Sequence, residues 1–206
     1  MKMMIFDFET MGTNTQDCAV LDCSLYVFDD ELFLSKPYTL QTIHDIKTLK
    51  PSVKDQVDNY KYKVYSDTVA FWSEQSKEVR DRIKPRTTDL TLEQFVDEFI
   101  SYIRPHKISY WWSRANSFDP IILWRLAEAV GRLEEMHKIL PHWKLRDTRT
   151  FIDAKLRFPK KNSFTPISNE AVWNSEFKLH NSSWDILADI LRFQAIARIE
   201  NDLENI

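Results

Sequence analysis

Met3-Met4-Ile5-Phe6-Asp7-Phe8-Glu9 is apolar on both faces until two carboxylates interrupt it, and Met11-Gly12-Thr13-Asn14 follows as a turn. The run from Met3 to Phe8 reads as a β-strand. Side chains alternate across a strand, so Asp7 and Glu9, two residues apart, project from the same face at one edge of the apolar stretch. Two adjacent negative charges repel, and the pair is unfavourable unless a cation sits between them. Hard carboxylate oxygens select Mg²⁺ or Mn²⁺ for that place. Solvated charges at a strand end have the same local pattern, so the pair does not decide the matter by itself.

Outward from this strand, Ala19 to Phe28 reads as a second strand, Asp29-Asp30 as a tight turn and Leu32 to Leu40 as a third strand, which together make an antiparallel meander. Thr42 to Lys50 and Asp67 to Arg82 have helical patterns. Thr91-Leu92-Glu93-Gln94 caps a helix whose apolar positions are Phe95, Phe99, Tyr102 and Ile103, and Pro105 ends it. Ile108 to Ser113 is a short apolar strand, and Asp119-Pro120 opens a helix as cap and first residue. Lys144 to Ile152 reads as a last strand or strand and turn, and Lys155 to Lys178, with Pro159 and Pro166, as a long loop. A final helix runs from Ser183 to about Ile199 with Ile186, Ile190 and Phe193 on one face, and the acidic end beyond about residue 200 is expected to fray. A meander followed by alternating helices and strands predicts a mixed α/β sheet flanked by helices, a single domain over residues 1–206.

Composition narrows the chemistry. An apolar fraction of 43% with 13% aromatics supplies a packed core. No apolar run approaches the roughly 20 residues of a membrane helix, and the charges at Asp7 and Glu9 come too early for a signal peptide, so a cytoplasmic protein is expected. Cys18 and Cys23, read as facing opposite sides of one strand, are expected to be free thiols, and two cysteines do not make a zinc cluster. The only glycines are Gly12 and Gly131, so no glycine-rich loop exists to cradle a nucleotide cofactor; kinases, P-loop ATPases and Rossmann dehydrogenases are excluded. With a net charge of −3, any binding of nucleic acid must be local or mediated by a metal.

Two further carboxylates and a histidine complete the set. Asp119 is readable as an ordinary helix cap, but one oxygen of a capping carboxylate remains available to a site. In His180-Asn181-Ser182-Ser183-Trp184-Asp185, the Asn-Ser-Ser run caps a helix at about Ser182 or Ser183. Asp185 is then fixed in the first turn, while His180 lies on the preceding loop. A rigid carboxylate beside a mobile base suits hydrolysis by activated water; the imidazole alone would equally suit a structural role.

The order Asp-x-Glu, Asp, His-x₄-Asp resembles the DEDDh exonucleases of the ribonuclease H-like fold. Phe6 to Gly12, Phe71 to Ser76, Asn116 to Asp119, Arg146 to Thr150 and His180 to Asp189 are similar to the phage-type exonuclease A branch of that family, across nearly the whole chain. Ser182 and Ile186 depart from the small alanines usual in the proofreading branch. The resemblance implies a ribonuclease H-like sheet of about five strands. It also implies removal of nucleoside 5′-monophosphates from the 3′ end of a single strand, DNA by the phage-branch likeness or RNA as in an exoribonuclease of the same family, with two divalent ions, Mg²⁺ or Mn²⁺. Asp7, Glu9 and Asp185 would hold one ion, Asp7 and Asp119 the other, and His180 would be the general base. Thr10, Met11 and Gly12 would meet the terminal nucleotide, Met11 as a wedge by the last bases, although Met11 packed under the sheet is the plainer alternative.

Phe118 and Asn116 would line the same pocket or serve as packing and turn residues. Trp72 and Gln75, one turn apart, would stack on and hydrogen-bond a base, or be a core tryptophan and an exposed amide. Lys144, Arg146, Arg149, Lys155, Arg157, Lys160 and Lys161 form a basic stretch suited to guiding a strand, as well as to an ordinary solvated face. Two rival classes exist. Asp7-Phe8-Glu9-Thr10 partly mimics the nucleophile motif of haloacid-dehalogenase phosphatases, and a non-catalytic nucleic-acid-binding module would keep the fold without needing the acidic cluster.

Overall fold

The computed structural model describes residues 1–156, 178 and 180–204. Five strands form one sheet in the order β3-β2-β1-β4-β5. Strand β1 (Lys2–Thr10) pairs antiparallel with β2 (Val20–Asp29), which pairs antiparallel with β3 (Lys47–Leu49). On its other side β1 pairs parallel with β4 (Tyr110–Ser113), and β4 with β5 (Leu145–Asp147). The mixed α/β sheet with an antiparallel meander is therefore as the sequence predicts, but its third strand lies elsewhere.

Residues 32–40 are not that strand. Leu32–Ser35 is a short helix, α1, and Leu40–Asp45 is a 3₁₀ turn capped by Thr39; β3 then lies inside the stretch that reads as a helix from Thr42. A run as short as Leu32-Phe33-Leu34 has no period of its own, and Phe33 finds its burial against Phe28 from a helix instead. Helix α2 (Val53–Tyr60) is not anticipated by the sequence reading. Its Gln56 is buried and bonds both the N–H and the C=O of Val20, standing in for a neighbouring strand at the start of β2. The predicted helix from Asp67 to Arg82 is two, α3 (Ser66–Ser73) and α4 (Lys77–Ile83), the second capped by Ser76. Helix α5 (Leu92–Ile103) starts at the Thr91/Gln94 capping box. Helices α6 (Asp119–Ala129) and α7 (Leu133–Ile139) lead to β5, and α8 (Thr148–Leu156) takes most of the stretch assigned to a last strand. The final helix, α9, spans Ser182–Glu204. Of the predicted loop from Lys155 to Lys178, residues 157–177 lie outside the described residues.

Alternation along β1 divides the core. Met4, Phe6 and Phe8 point to the layer of α5 and α6, where they meet Phe95, Phe99 and Trp111. Met3 and Ile5 point the other way, to α9, whose Ile186, Leu187, Ile190 and Phe193 are buried. Burial of one such side chain contributes about 1.5–3 kcal/mol. Helix α9 is buried on more than the single face read from its spacing, because α1, α8 and the 3₁₀ turn also contact it. Cys18 precedes β2, bridging to Lys63, whereas Cys23 lies within β2; both are buried free thiols. Among the described residues no helix is long and apolar enough to cross a membrane.

Candidate active site

Beyond Ile5, the face of β1 that packs on α9 carries Asp7 and Glu9, which emerge where α9 begins. Asp185, in the first turn of α9, meets them there: one carboxylate oxygen from each of Asp7, Glu9 and Asp185 lies within 4.8 Å of the others. This places the cluster at the C-terminal end of β1, beside the point where sheet order reverses between β1 and β4, the usual position of sites in open α/β sheets.

Asp119 joins from the other side. Strand β4 pairs with β1 only as far as Ile5, so the β1 edge beyond needs another acceptor, and Asp119 Oδ1 takes the Phe8 N–H at 3.4 Å. Asp119 does not cap its helix as expected: Phe118 occupies the cap position, and Asp119 is the first helical residue with its carboxylate turned to β1. Burial and like charge leave the four acids electrostatically frustrated. Burial first, then Asp119, Asp185 and Glu9, raises Asp7 well above the usual carboxylate range. Burial, then Asp22 and Asp185, raises Glu9, while Arg82 opposes the rise. Burial pushes Asp119 to about 7 against the hydrogen bonds it accepts from Phe8 and its own amide. It pushes Asp185 to about 7 as well, with Asp189 adding to the rise and Arg114 opposing it. An all-oxygen donor set this crowded and short of positive charge fits a hard divalent cation.

His180 lies two residues before α9, at a left-handed backbone position with φ 57°. Histidine is among the residues that tolerate this region, and such outliers gather at functional sites. Its ring packs edge-on against Phe71 at 4.9 Å and Trp72 at 6.3 Å. Solvent still reaches it, and partial burial lowers its pKa below 6.5. The cap of α9 is Asn181, whose side chain accepts the Ser183 and Trp184 N–H groups, rather than either serine.

A cavity of about 400 Å³ adjoins the acids, walled by Glu9, Thr10, Gly12, Phe71, Trp72 and Phe118. The β1–β2 register shifts between Glu9 and Thr10, leaving Leu21 of β2 as the extra residue opposite them. Gly12 is required there, since a Cβ would fall 2.3 Å from Tyr65 Cδ2. Trp72 is largely buried and its indole N–H donates to the Thr10 carbonyl at 2.9 Å, so it offers the cavity a ring edge and holds the Thr10 turn. Met11 does not line the cavity. It is 9% exposed and packs in the core, because its backbone bonds to Ala19 and Tyr65 turn it beneath the sheet.

Gln75 lies past the end of α3, where its amide donates to the Phe71 carbonyl, instead of sharing a helical face with Trp72. Asn116 is held by Asp147 and Ser113 at the ends of β5 and β4. Of the basic stretch, Lys144 donates to the Ile108 carbonyl, Arg146 lies over Tyr110, Arg149 is exposed and Lys155 pairs with Glu200. Arg157, Lys160 and Lys161 lie outside the described residues.

Sequence reasoning passes over the residues that hold α9 in place. Asp22, opposite Glu9 in the register, accepts from Arg82 Nε at 2.9 Å and from the Ser182 hydroxyl at 2.7 Å. Arg82 Nη2 also reaches Ser182 at 2.8 Å, and Ser24 bonds both Ser182 and Ser183. On the far side of Asp185, Asp189 accepts from Thr148 at 2.7 Å and pairs with Arg114 and Arg192. Ser182, read as a departure from a small alanine, is the hydroxyl that completes the first network. Its only signal is that departure, since Asp22 and Arg82 are 60 residues apart.

The sequence matches the 3′-5′ exoribonuclease Rv2179c-like domain over residues 1–182. The chain belongs to that family. It is a 3′-5′ exonuclease, and the nucleophile motif of a phosphatase has no place in it. The exonuclease is also 29% identical, over 98% of its length and 91% of the relative's, to the exodeoxyribonuclease of Enterobacteria phage T4. Among solved structures, an Escherichia coli exonuclease I complex with single-stranded DNA, in its zinc-bound form, superposes with TM-score 0.64 at 13% identity, covering 99% of this chain and 42% of that one. Exonuclease I from Methylocaldum szegediense matches with TM-score 0.57 at 14% identity, over 96% of this chain and 40% of that one. The exonuclease thus spans about two fifths of the solved structures it matches, and these share its fold.

Proposed function

We propose that the exonuclease hydrolyses the 3′-terminal phosphodiester of single-stranded DNA and releases nucleoside 5′-monophosphates. The observation that carries this reading is the convergence of Asp7, Glu9 and Asp185 within 4.8 Å, at the mouth of a cavity sized for one nucleotide. DNA is favoured over RNA by the near full-length likeness to the phage T4 exodeoxyribonuclease.

Asp7, Glu9 and Asp185 would hold one divalent cation, and Asp7 with Asp119 a second. Cations bound there supply Lewis-acid stabilisation of charge on the phosphodiester and lower the pKa of the attacking water. The Thr10–Gly12 turn, with Phe71 and Phe118, receives the last nucleotide and excludes bulk water from the reacting phosphate. Water attacks phosphorus, the bond to the 3′ oxygen of the preceding nucleotide breaks, and that oxygen leaves with the bonding pair and takes a proton from solvent to become a hydroxyl. An imidazole nitrogen of His180 takes the proton from the attacking water, and the downward pull of partial burial on its pKa favours the neutral ring that a base needs.

The test uses 5′-labelled DNA and RNA oligonucleotides with Mg²⁺ or Mn²⁺ and the wild type, Asp7→Ala and His180→Ala proteins. A DNA ladder shortening from the 3′ end and absent with Asp7→Ala is expected; internal cuts or shortening from the 5′ end contradict the reading, and faster loss of RNA reverses the substrate assignment. His180→Ala should bind substrate normally and lose about 10²–10⁴-fold in rate. Near-normal turnover would exclude the histidine as base.

A further inference from the structure

The acids occupy one pole of the sheet, at the C-terminal ends of its parallel strands. The opposite pole, where β4 and β5 begin, carries the reverse charge. A groove of about 500 Å³ there is walled by Arg104, His106, Lys107, Lys138 and Lys144, with no carboxylate among its lining residues. Arg104 is paired with Glu135. Lys107 and Lys138 are exposed and make no ion pair among the described residues. Basic side chains at a helix C-terminus commonly serve the helix dipole, and Arg104 and Lys138 lie at the ends of α5 and α7. Lys144 is held there by the Ile108 carbonyl at 2.8 Å, and Lys107 belongs to neither helix, so the dipole does not account for it. In a chain of net charge −3, this is a local concentration of positive charge.

Strand β5 joins the two poles. It is an edge strand of three residues, about 10 Å long. At its start stands Trp143, 67% exposed, with the His142 ring edge-on at 5.1 Å. The Arg146 guanidinium lies over Tyr110 at 4.3 Å, and Arg149 is exposed beyond. At its end, Asp147 holds the Asn116 N–H at 3.0 Å, and its charge is felt by Asp119 in the acidic site. Along this edge lie the exposed Trp143, Tyr110 beneath Arg146 and the exposed Arg149, with one carboxylate, Asp147, at its end. An exposed indole among cations matches a single strand, whose bases stack while its phosphates pair.

We propose that the β5 edge and the basic groove form a second substrate site, which holds nucleotides several places 5′ of the scissile bond, with Trp143 as a stacking platform. The proposal rests on the single-strand reading above. Steady-state kinetics on a tetranucleotide and on single-stranded DNA of about twenty nucleotides test it. Trp143→Ala should raise KM for the long strand on the order of ten-fold and leave the tetranucleotide unchanged. Lys107→Gln with Lys138→Gln should flatten the salt dependence of the long strand's log(kcat/KM) by about 1.4, at about 0.7 per phosphate contact. Equal effects on both lengths, or no effect on either, would overturn the second site, the latter leaving the groove to an acidic protein partner. Failure of the wild type to shorten the tetranucleotide would sink the exonucleolytic reading of the acidic site; normal tetranucleotide turnover with length-independent variants would sink the second site alone.

Discussion

Without divalent cations, raising the pH should destabilise this protein, the reverse of ordinary acid denaturation. Asp119 is 4% exposed, and its pKa rises from 3.8 to about 7 on folding. A carboxyl whose folded pKa is raised binds its proton more tightly in the native state. Its contribution is fully present below pH 3.8 and is lost as pH climbs to about 7. At 1.36 kcal/mol per unit, the loss amounts to up to about 4 kcal/mol, of which about 3 kcal/mol falls between pH 5 and pH 8. Asp185 shifts in the same direction to about 7, so the two carboxyls act over one window.

The assay is urea denaturation in chelator at pH 5 and pH 8, for the wild type and Asp119→Asn. Asparagine keeps an oxygen for the Phe8 N–H and removes the charge, so the variant should lose less stability than the wild type across this interval. Mg²⁺ should restore the wild type at pH 8 by binding the native state alone. A chelated wild type as stable at pH 8 as at pH 5, or an Asp119→Asn protein with an undiminished loss, would refute the claim that burial disfavours the ionised form of these acids.

Gly12→Ala should cost about 1–3 kcal/mol of stability. The added methyl would lie 2.3 Å from a Tyr65 ring that Asp17 and the Met11 carbonyl hold in place. Thermal unfolding reads this directly; a variant that melts like the wild type would show that the ring yields. Arg82→Ala strands Asp22, 1% exposed, without its cation, and should destabilise by about 3–5 kcal/mol with a parallel fall in kcat as α9 loosens. Adding Asp22→Asn should recover part of the stability in denaturant titration; no recovery would mean that the ion pair is not what holds the helix.

Local chemistry is enough to place several features of the molecule. The period of two along Met3–Glu9 places Asp7 and Glu9 on one face whatever surrounds them, and the Thr91/Gln94 box starts α5 because both partners lie within one turn. The scarcity of glycine excludes phosphate-cradling loops without reference to any fold. Long-range packing governs the rest. Leu32-Phe33-Leu34 is too short a run to declare a period, and the position of β3 follows from the edge that β2 offers it. Met11 is buried because its backbone is tied to Ala19 and Tyr65, bonds invisible in its neighbours along the chain. Asp22, Arg82 and Ser182 form a network only once β2, α4 and α9 have assembled. Asp7, Asp119 and Asp185 likewise meet because the strand order and the burial of α9 bring them together. Backbone sterics and short-range hydrogen bonds act over a few residues, whereas the free energy that forces like charges into contact comes from apolar surface buried across the whole sheet.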